Sequence, residues 1–194
     1  MRELADRALN LAQVKGATYA DIRIINRKSQ NITVKNGVVQ SLSLDTDQGF
    51  GVRVIANGAW GFASSHLITT TEVDRVAALA VSIAKASALA NQEDVDLGPP
   101  EDHEDTYKTP YEVDPFSVSL NDKVSLLLDA DKEARSVKGV MVATSSLAFI
   151  RENQVFASSE GSYIEQEITE SGLGLVATAV SEGEMQKRSY PNSF

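Results

Sequence analysis

The stretch from Gln30 to Phe62 decides the fold of this chain, and it reads QNITVKNGVVQ at 30–40 and QGFGVRVIANGAWGF at 48–62. Apolar and polar residues alternate along it and β-branched residues are frequent, which is typical of β-strands. Asn36-Gly37 and Asn57-Gly58 each separate two such runs. A two-residue hairpin turn requires a positive φ at both central positions, and Asn-Gly adopts it at the lowest steric cost. The stretch therefore predicts an antiparallel meander with two hairpins.

Helices are predicted on both sides of this meander. Residues 2–15 place apolar residues on one face of a helix, and residues 19–25 alternate as a first strand. Thr69 and Glu72 have capping-box spacing, and the apolar residues behind them recur at helical spacing to about Ala90. An antiparallel β-meander sheet packed by helices belongs to the α+β class.

Residues 93–118 are predicted to be an extended connector. Seven acidic residues fall between Glu93 and Asp105, and four of the five prolines lie between Pro99 and Pro115. Proline is excluded from helix interiors and central strands, and the like charges repel each other. We therefore expect a first α+β lobe at residues 1–92 and a second, strand-rich lobe at residues 119–194.

The second lobe is predicted to hold one helix and several strands. The helix begins at Ser119, and strands follow at 140–151, 155–159 and 163–181, with turns at 152–154 and 159–162. Residues 47–54 and 170–177 have similar patterns, which an internal duplication and independent strand patterning explain equally well. The chain stops at Phe194 without a closing element, so we expect it to be a C-terminally truncated fragment.

Composition excludes several classes of function. The 194 residues carry a net charge of −9 and no cysteine. Nucleic-acid binding needs clustered Lys and Arg, so none is expected, and no apolar run reaches the roughly 18 residues of a membrane span. The charged N-terminus does not have the pattern of a signal peptide. We expect a cytoplasmic chain without membrane contact, disulfides or thiol chemistry.

No catalytic constellation is evident in the sequence. The glycine pairs at 49–51 and 172–174 lack the third glycine and the helix of a dinucleotide fingerprint, so each predicts a bulge or a close approach by a neighbouring group. His103-Glu104 has no second histidine four residues after the first, and His66 lies at a strand-to-helix junction. The serines do not match a nucleophile elbow. We therefore assign no catalytic residue and no metal ligand.

Trp60 and Phe62 alternate on one strand, and we place them on the face of Phe50, Val52 and Val54 across the hairpin. On that face the two aromatic residues would fill the sheet core beneath the second helix. The alternative is that they form the wall of a peptide groove or of a partner interface.

Arg53 alternates away from its apolar neighbours, so it is expected on the other face of the sheet. There it could pair with a carboxylate, which would be either internal or the terminus of a bound chain. The candidate residues for substrate or partner binding are Gly49, Gly51, Arg53, Trp60 and Phe62.

Four ordered motifs resemble the N-terminal domain of the TldD/PmbA family, the proposed modulators of DNA gyrase. The resemblance covers roughly residues 1–180. The motifs are GATYADIR at 16–23, VKNGVV at 34–39, GFGVRV at 49–54 and GAWGFA at 58–63.

The resemblance implies a part in a larger enzyme. Full-length relatives are cytosolic zinc-dependent peptidases that act on peptides and form dimers, and their N-terminal domain helps to build the interface and the substrate cleft. Their zinc is held by a His-Glu-x-x-x-His helix and a later cysteine in a C-terminal domain, and no residue here matches those positions. The resemblance thus implies zinc in the full-length protein and none in this chain.

Two hypotheses follow from the resemblance. In the first, which we favour, the chain is the N-terminal, non-catalytic portion of a zinc metallopeptidase and forms a homo- or heterodimer. In the second, it is a free-standing protein-binding regulatory module or an inactive partner subunit, and any contact with gyrase is made through protein. The coding sequence beyond Phe194 would distinguish them.

Overall fold

A computed structural model of the chain describes residues 1–100 and 102–191. It confirms the α+β class, because an open, mainly antiparallel sheet is packed by three helices. Residues 192–194 of the predicted second lobe lie outside the described residues. The helices are α1 (Arg2–Val14), α2 (Thr70–Ser87) and α3 (Leu120–Ser136). The strands are β1 (Tyr19–Lys35), β2 (Val38–Ala56), β3 (Ala59–Ser65), β4 (Glu104–Lys108), β5 (Val140–Ser158), β6 (Tyr163–Ser181) and β7 (Glu184–Tyr190).

The seven strands hydrogen-bond in the order β3-β2-β1-β5-β6-β4, and β7 also pairs with β6. Both predicted hairpin turns are present. Asn36 and Gly37 have φ values of 50° and 79°, and Asn57 and Gly58 have φ values of 53° and 77°. Positive φ at both central positions matches the right-handed twist of the flanking strands. The second turn places Ala56 opposite Ala59 and thereby sets the register of β2 against β3.

Three details differ from the sequence-based prediction. The first strand does not end at residue 25, because β1 continues to Lys35. The turn predicted at 152–154 is wrong, since β5 runs unbroken through these residues. The segment 93–118 contains one strand, β4, which pairs with β6 in parallel. Polar residues at 152–154 favour a turn when only the local sequence is considered. In the sheet they are part of a strand, and the backbone hydrogen bonds of that strand are made with other strands that are distant in the sequence.

The chain forms two compact units, each built from segments that are separated in the sequence. Unit 1 contains residues 1–27, 47–108 and 152–168, and unit 2 contains residues 28–46, 109–151 and 169–194. The units interleave along the chain, whereas the predicted lobes follow one another. The long strands β1, β2, β5 and β6 contribute residues to both units.

The core of unit 1 lies between one face of its strands and the helices α1 and α2. Ile22, Val52 and Val54 from the strands and Val73 and Val76 from α2 are fully buried in it. As predicted, α2 is capped by Thr69, whose side-chain oxygen accepts a hydrogen bond from the Glu72 backbone N–H at 3.3 Å. Such a cap satisfies one of the backbone donors at the start of the helix.

Unit 2 has a smaller core beneath α3. Ile32 and Val34 of β1 are fully buried there, together with Leu127 of α3 and Leu147 and Phe149 of β5. The predicted helix start at Ser119 is confirmed, because its hydroxyl accepts a hydrogen bond from the Asp122 backbone N–H at 3.1 Å. Within residues 1–100 and 102–191, no helix combines the length and the apolar character that crossing a membrane would require.

Gly61 allows α2 to lie directly against β3. A Cβ atom at position 61 would stand 2.1 Å from the Ala80 carbonyl oxygen and 2.5 Å from the Ala84 backbone nitrogen. Both are backbone atoms of α2, so the helix itself would have to move to admit a methyl group.

Substituting Gly61→Ala should therefore destabilise the chain by about 1–3 kcal/mol or more, the usual cost of overpacking. Urea unfolding followed by circular dichroism measures this loss. Gly172→Ala is the matched control, because the nearest atom to its added Cβ is the Ala148 carbonyl oxygen at 4.0 Å. Equal stability of the two variants would contradict the close packing of α2 on β3.

Candidate functional site

The pairing of β2 with β3 brings Arg53, Trp60 and Phe62 to one face of unit 1. Arg53 lies opposite Phe62, and Ile55 lies opposite Trp60. Directly paired residues in an antiparallel ladder project to the same side of the sheet. We call this side, opposite to α1 and α2, the outer face.

The prediction that Trp60 and Phe62 share a face with Val52 and Val54 is therefore wrong. Val52 pairs with Ala63 and Val54 pairs with Gly61, on the side covered by α2. Phe62 remains 58% exposed, so it does not belong to the core. The error has a simple cause, because alternation defines two faces on each strand but only the register shows which faces coincide.

A cluster on the outer face surrounds the side chain of Arg53. Its Nε donates a hydrogen bond to Asp21 Oδ2 at 2.8 Å, and its guanidinium lies 4.7 Å from the centre of the Trp60 ring. The edge of Tyr19 meets the same ring, with 6.0 Å between the two ring centres. Asp21 is 3% exposed. The carboxylate that we predicted for Arg53 is thus an internal one, and the arginine anchors the cluster.

A groove with a volume of 490 Å³ lies on the outer face beside this cluster. Gly51 lines this groove and lies against the Phe62 ring. A Cβ atom at position 51 would stand 2.7 Å from Cε2 of Phe62. The close approach that we predicted for the first glycine pair is therefore present, and the approaching group is the Phe62 ring. The lining residues are Arg23, Ile25, Arg27, Asp47, Gln48, Gly49, Phe50, Gly51, Phe62 and Ser64.

The two arginines of the groove have different surroundings. Arg27 is paired with Glu152, its Nε lying 2.8 Å from Glu152 Oε2. The guanidinium of Arg23 lies 5.5 Å from the centre of the Phe156 ring, and no carboxylate of the described residues lies within ion-pair distance of it. Because a guanidinium offers several donors in one plane, Arg23 can bind a carboxylate that comes from a ligand.

Three of the five candidate residues line the groove, namely Gly49, Gly51 and Phe62, while Arg53 and Trp60 lie on the same face without lining it. The sequence analysis missed Arg23 and Arg27. One signal was available, because Asp21 and Arg23 alternate with the buried Ile22 and so had to face away from the core.

The described residues do not fit a metal centre. Among residues 1–100 and 102–191, no group of three or more His, Cys, Asp or Glu side chains is placed to hold an ion. The His103 backbone N–H donates a hydrogen bond to Ser162 Oγ at 3.1 Å, within a turn contact of unit 1. The zinc ion that the resemblance implies would need ligands that this set of side chains does not supply.

The hydroxyl of Tyr19 should ionise only near pH 12, because burial and then the negative charge of Asp21 raise its pKa to about 12. This pKa exceeds that of the unfolded chain, so the resulting stabilisation is complete below pH about 10 and is lost as the pH rises from about 10 to about 12. Asp21→Asn removes one of the causes and should lower the midpoint.

The measurement is the tyrosinate absorbance of the chain minus that of Tyr19→Phe during an alkaline titration. Asp45→Asn, which alters an exposed carboxylate of β2, is the control and should leave the midpoint unchanged. An Asp21→Asn variant with the parent midpoint would contradict the described cluster.

Two family models match the chain: PmbA/TldA metallopeptidase domain 1 at residues 20–84, and the PmbA/TldA metallopeptidase central domain at residues 113–193. The chain is 30% identical over 170 residues to a metalloprotease of Methanocaldococcus jannaschii, and 33% identical over 161 residues to a metalloprotease of Methanothermobacter thermautotrophicus. These alignments cover 87% and 83% of this chain but 37% and 34% of the relatives. The chain thus spans about a third of the length of the curated relatives that it matches.

Solved structures share the fold at low sequence identity. Two proteins named "putative modulator of DNA gyrase" and "putative modulator of a DNA gyrase", from Bacteroides thetaiotaomicron and Thermotoga maritima, have TM-scores of 0.77 and 0.74 at 17% and 16% identity. The comparison covers 97% of this chain in both cases, and 43% and 42% of those chains. TldE from Thermococcus kodakarensis has a TM-score of 0.65 at 14% identity, over 96% of this chain and 42% of its own.

The two domain matches follow each other in the order that the family models name, and together they cover most of the chain. The resemblance read from the four motifs is thereby confirmed, and the chain belongs to the PmbA/TldD metallopeptidase family.

Proposed function

We propose that this chain is the N-terminal, non-catalytic portion of a zinc-dependent metallopeptidase that acts on peptides, and that it contributes to the substrate cleft and to a dimer interface. The first and central domains of the family are matched here, and the alignments cover 37% and 34% of the metalloproteases that the chain resembles. On this proposal the zinc ligands lie in the remaining part of the enzyme. The zinc, when bound there, would polarise the peptide carbonyl and activate water.

The observation that carries the proposal is the groove on the outer face of unit 1. Phe62 offers an exposed ring for an apolar side chain, and Arg23 offers donors for a carboxylate. Gly51 lets the Phe62 ring lie directly against β2, which holds that ring at the groove. These features suit an extended peptide, whose side chains alternate between a wall and the solvent.

The position of β3 supports the same proposal. It is the terminal strand of the sheet order, with β2 as its strand neighbour. A terminal strand presents unpaired backbone N–H and C=O groups, to which a peptide or a second chain can add as a further strand. Phe62 and Ser64 belong to this strand and line the groove, so peptide binding and dimer formation would use neighbouring surfaces.

The 194-residue chain alone should not hydrolyse peptides. The test incubates it with zinc and an unstructured peptide and follows the products by mass spectrometry. Turnover that a chelator abolishes would contradict the assignment of the metal site to another part of the enzyme. The matched positive measurement uses the protein encoded by the complete reading frame, whose zinc content and chelator-sensitive activity should both be present.

Binding of the same peptide to the chain should depend on the groove. Phe62→Ala removes the exposed ring and Arg23→Glu reverses the charge, so each should weaken the affinity for a fluorescein-labelled peptide by about five-fold or more, as expected when about 1 kcal/mol of contact is lost. Fluorescence anisotropy measures the affinity.

Leu89→Ala is the control, because Leu89 is 91% exposed and does not line the groove. It should bind as the parent chain does. Unchanged affinity in both groove variants would exclude the outer face as part of the cleft.

A further inference from the structure

Unit 2 contains a second pocket, which the assignments above do not use. It has a volume of 420 Å³, within the range of about 300–1,000 Å³ that is usual for small-ligand sites. We call it the α3 pocket. Its lining is mainly apolar and consists of Val113, Pro115, Val118, Asp122, Lys123, Leu126, Leu147, Phe149, Ser171, Gly172 and Leu173.

Several apolar side chains at this pocket are unusually accessible. Val113, Leu126 and Leu173 are 64%, 60% and 59% exposed. They come from three separate segments of the chain and meet around one concavity. Clustered exposed apolar side chains that surround a pocket are typical of a binding site.

Lys123 is the unusual member of the pocket, because it is charged and yet only 5% exposed. Its Nζ donates a hydrogen bond to Gln30 Oε1 at 2.6 Å and lies 4.5 Å from the centre of the Phe149 ring. An ammonium group has three donors, and no other acceptor for them is found among the described residues. Burial lowers the pKa of Lys123, since removal from water disfavours the charged form.

The groups near Lys123 leave positive charge in excess. Lys28 and Arg151 lie 4.9 Å and 5.1 Å from the centre of the Phe116 ring, which Lys123 also approaches at 5.9 Å. The negative charge of Asp114 raises the pKa of Lys123 and so opposes the effect of burial. Asp114 also forms an ion pair with Arg151, with 2.7 Å between Oδ1 and Nη2.

Asp122 also lines the pocket, and its Oδ2 accepts a hydrogen bond from the Ser119 hydroxyl at 2.6 Å. A buried cation whose hydrogen-bond acceptor is a neutral amide is costly, and a carboxylate from a ligand would offset that cost. The site therefore favours a ligand that is apolar along its length and anionic at one end.

We propose that the α3 pocket binds the C-terminal carboxylate of a peptide whose last residues are apolar, with Lys123 as the ion-pair partner. The apolar walls then take the terminal side chains. The choice of a peptide rests on the proposed function, because each cleavage by a peptidase produces a fragment with a new C-terminal carboxylate.

The β6 backbone beside the pocket supports a peptide over a simple fatty acid. Ser171, Gly172 and Leu173 line the pocket and belong to β6. The pairing of β6 with β4 ends at Glu167, and its pairing with β7 begins at Leu175. The segment between these two ladders can offer main-chain hydrogen bonds to a peptide, which an acyl chain could not use.

The experiment measures binding of a fluorescein-labelled pentapeptide of alanine, valine and leucine to the 194-residue chain by fluorescence anisotropy. One probe has a free C-terminal carboxylate and the other a C-terminal amide. The acid should bind at least ten-fold more tightly than the amide. Equal affinities, or no binding of the acid, would overturn the proposal.

Lys123→Met should remove the preference for the acid, whereas Lys132→Met, an exposed lysine on the same helix, should retain it. Leu126→Glu provides a second variant at an exposed position, so that its fold is not at risk, and its added carboxylate should weaken binding of the acid at least five-fold. Leu89→Glu, in unit 1, is its control. A preference that survives in both pocket variants would place the peptide elsewhere and overturn the proposal.

Octanoate provides the test of ligand class. If octanoate binds in a manner that depends on Lys123 and the peptide acid does not, the pocket takes a free carboxylic acid and the peptide assignment is wrong. The proposed function is tested separately by the zinc content and chelator-sensitive activity of the complete protein. If the complete protein lacks that activity, the proposed function is wrong, but a measured preference of the α3 pocket for peptide acids is unaffected. If the α3 pocket binds no peptide, the pocket proposal is wrong, but the peptidase assignment is unaffected.

Discussion

The register of β2 against β3 is the constraint on which unit 1 depends. The Asn57-Gly58 turn places Ala56 opposite Ala59, and every later pair follows from that match. With this register Val52 and Val54 meet α2, while Arg53 and Phe62 project to the outer face. A shift of one residue would exchange the two sets, exposing valines and burying an arginine. The turn and the apolar pattern therefore reinforce each other, and the groove is a consequence of their agreement.

The close contact between α2 and β3 follows from the same register. Gly61 pairs with Val54 and so faces the helix, where the backbone at Ala80 and Ala84 leaves no room for a side chain. Small residues on α2 complete this contact, since Ala77, Ala80 and Ala84 are fully buried. Because the helix covers one face so closely, the side chains of β3 that project outward lie on the face where we propose that peptides bind. The strand thus separates a face packed against α2 from a face that α2 does not cover, by alternation alone.

Two buried charges, Asp21 and Lys123, have different kinds of partner. In unit 1, the buried Asp21 has its cation in Arg53, and the pair is held beside Trp60 and Tyr19. In unit 2, the buried Lys123 has a neutral amide as its hydrogen-bond partner. A paired charge stabilises its own surroundings, whereas a buried cation whose hydrogen-bond acceptor is a neutral amide favours binding of an anion. For this reason we assign a positioning role to the first cluster and a binding role to the α3 pocket.

Local signals in the sequence determined the two hairpin turns and the starts of α2 and α3. The Asn-Gly turns, the caps at Thr69 and Ser119, and the alternation around Ile22 depend on interactions within a few residues, so the sequence alone could predict them. Ordered motifs likewise identified the family, and the absence of cysteine was evident from composition.

Only the tertiary structure decided which of these residues meet. The groove combines residues from β1, β2 and β3, and the α3 pocket combines residues from α3, β5, β6 and the segment before α3. The burial of Lys123 and the outer position of Trp60 and Phe62 depend on strand register and on partners far away in the chain. Short-range propensity carries no information about such partners, because alternation specifies two faces of a strand without specifying which one the core will cover.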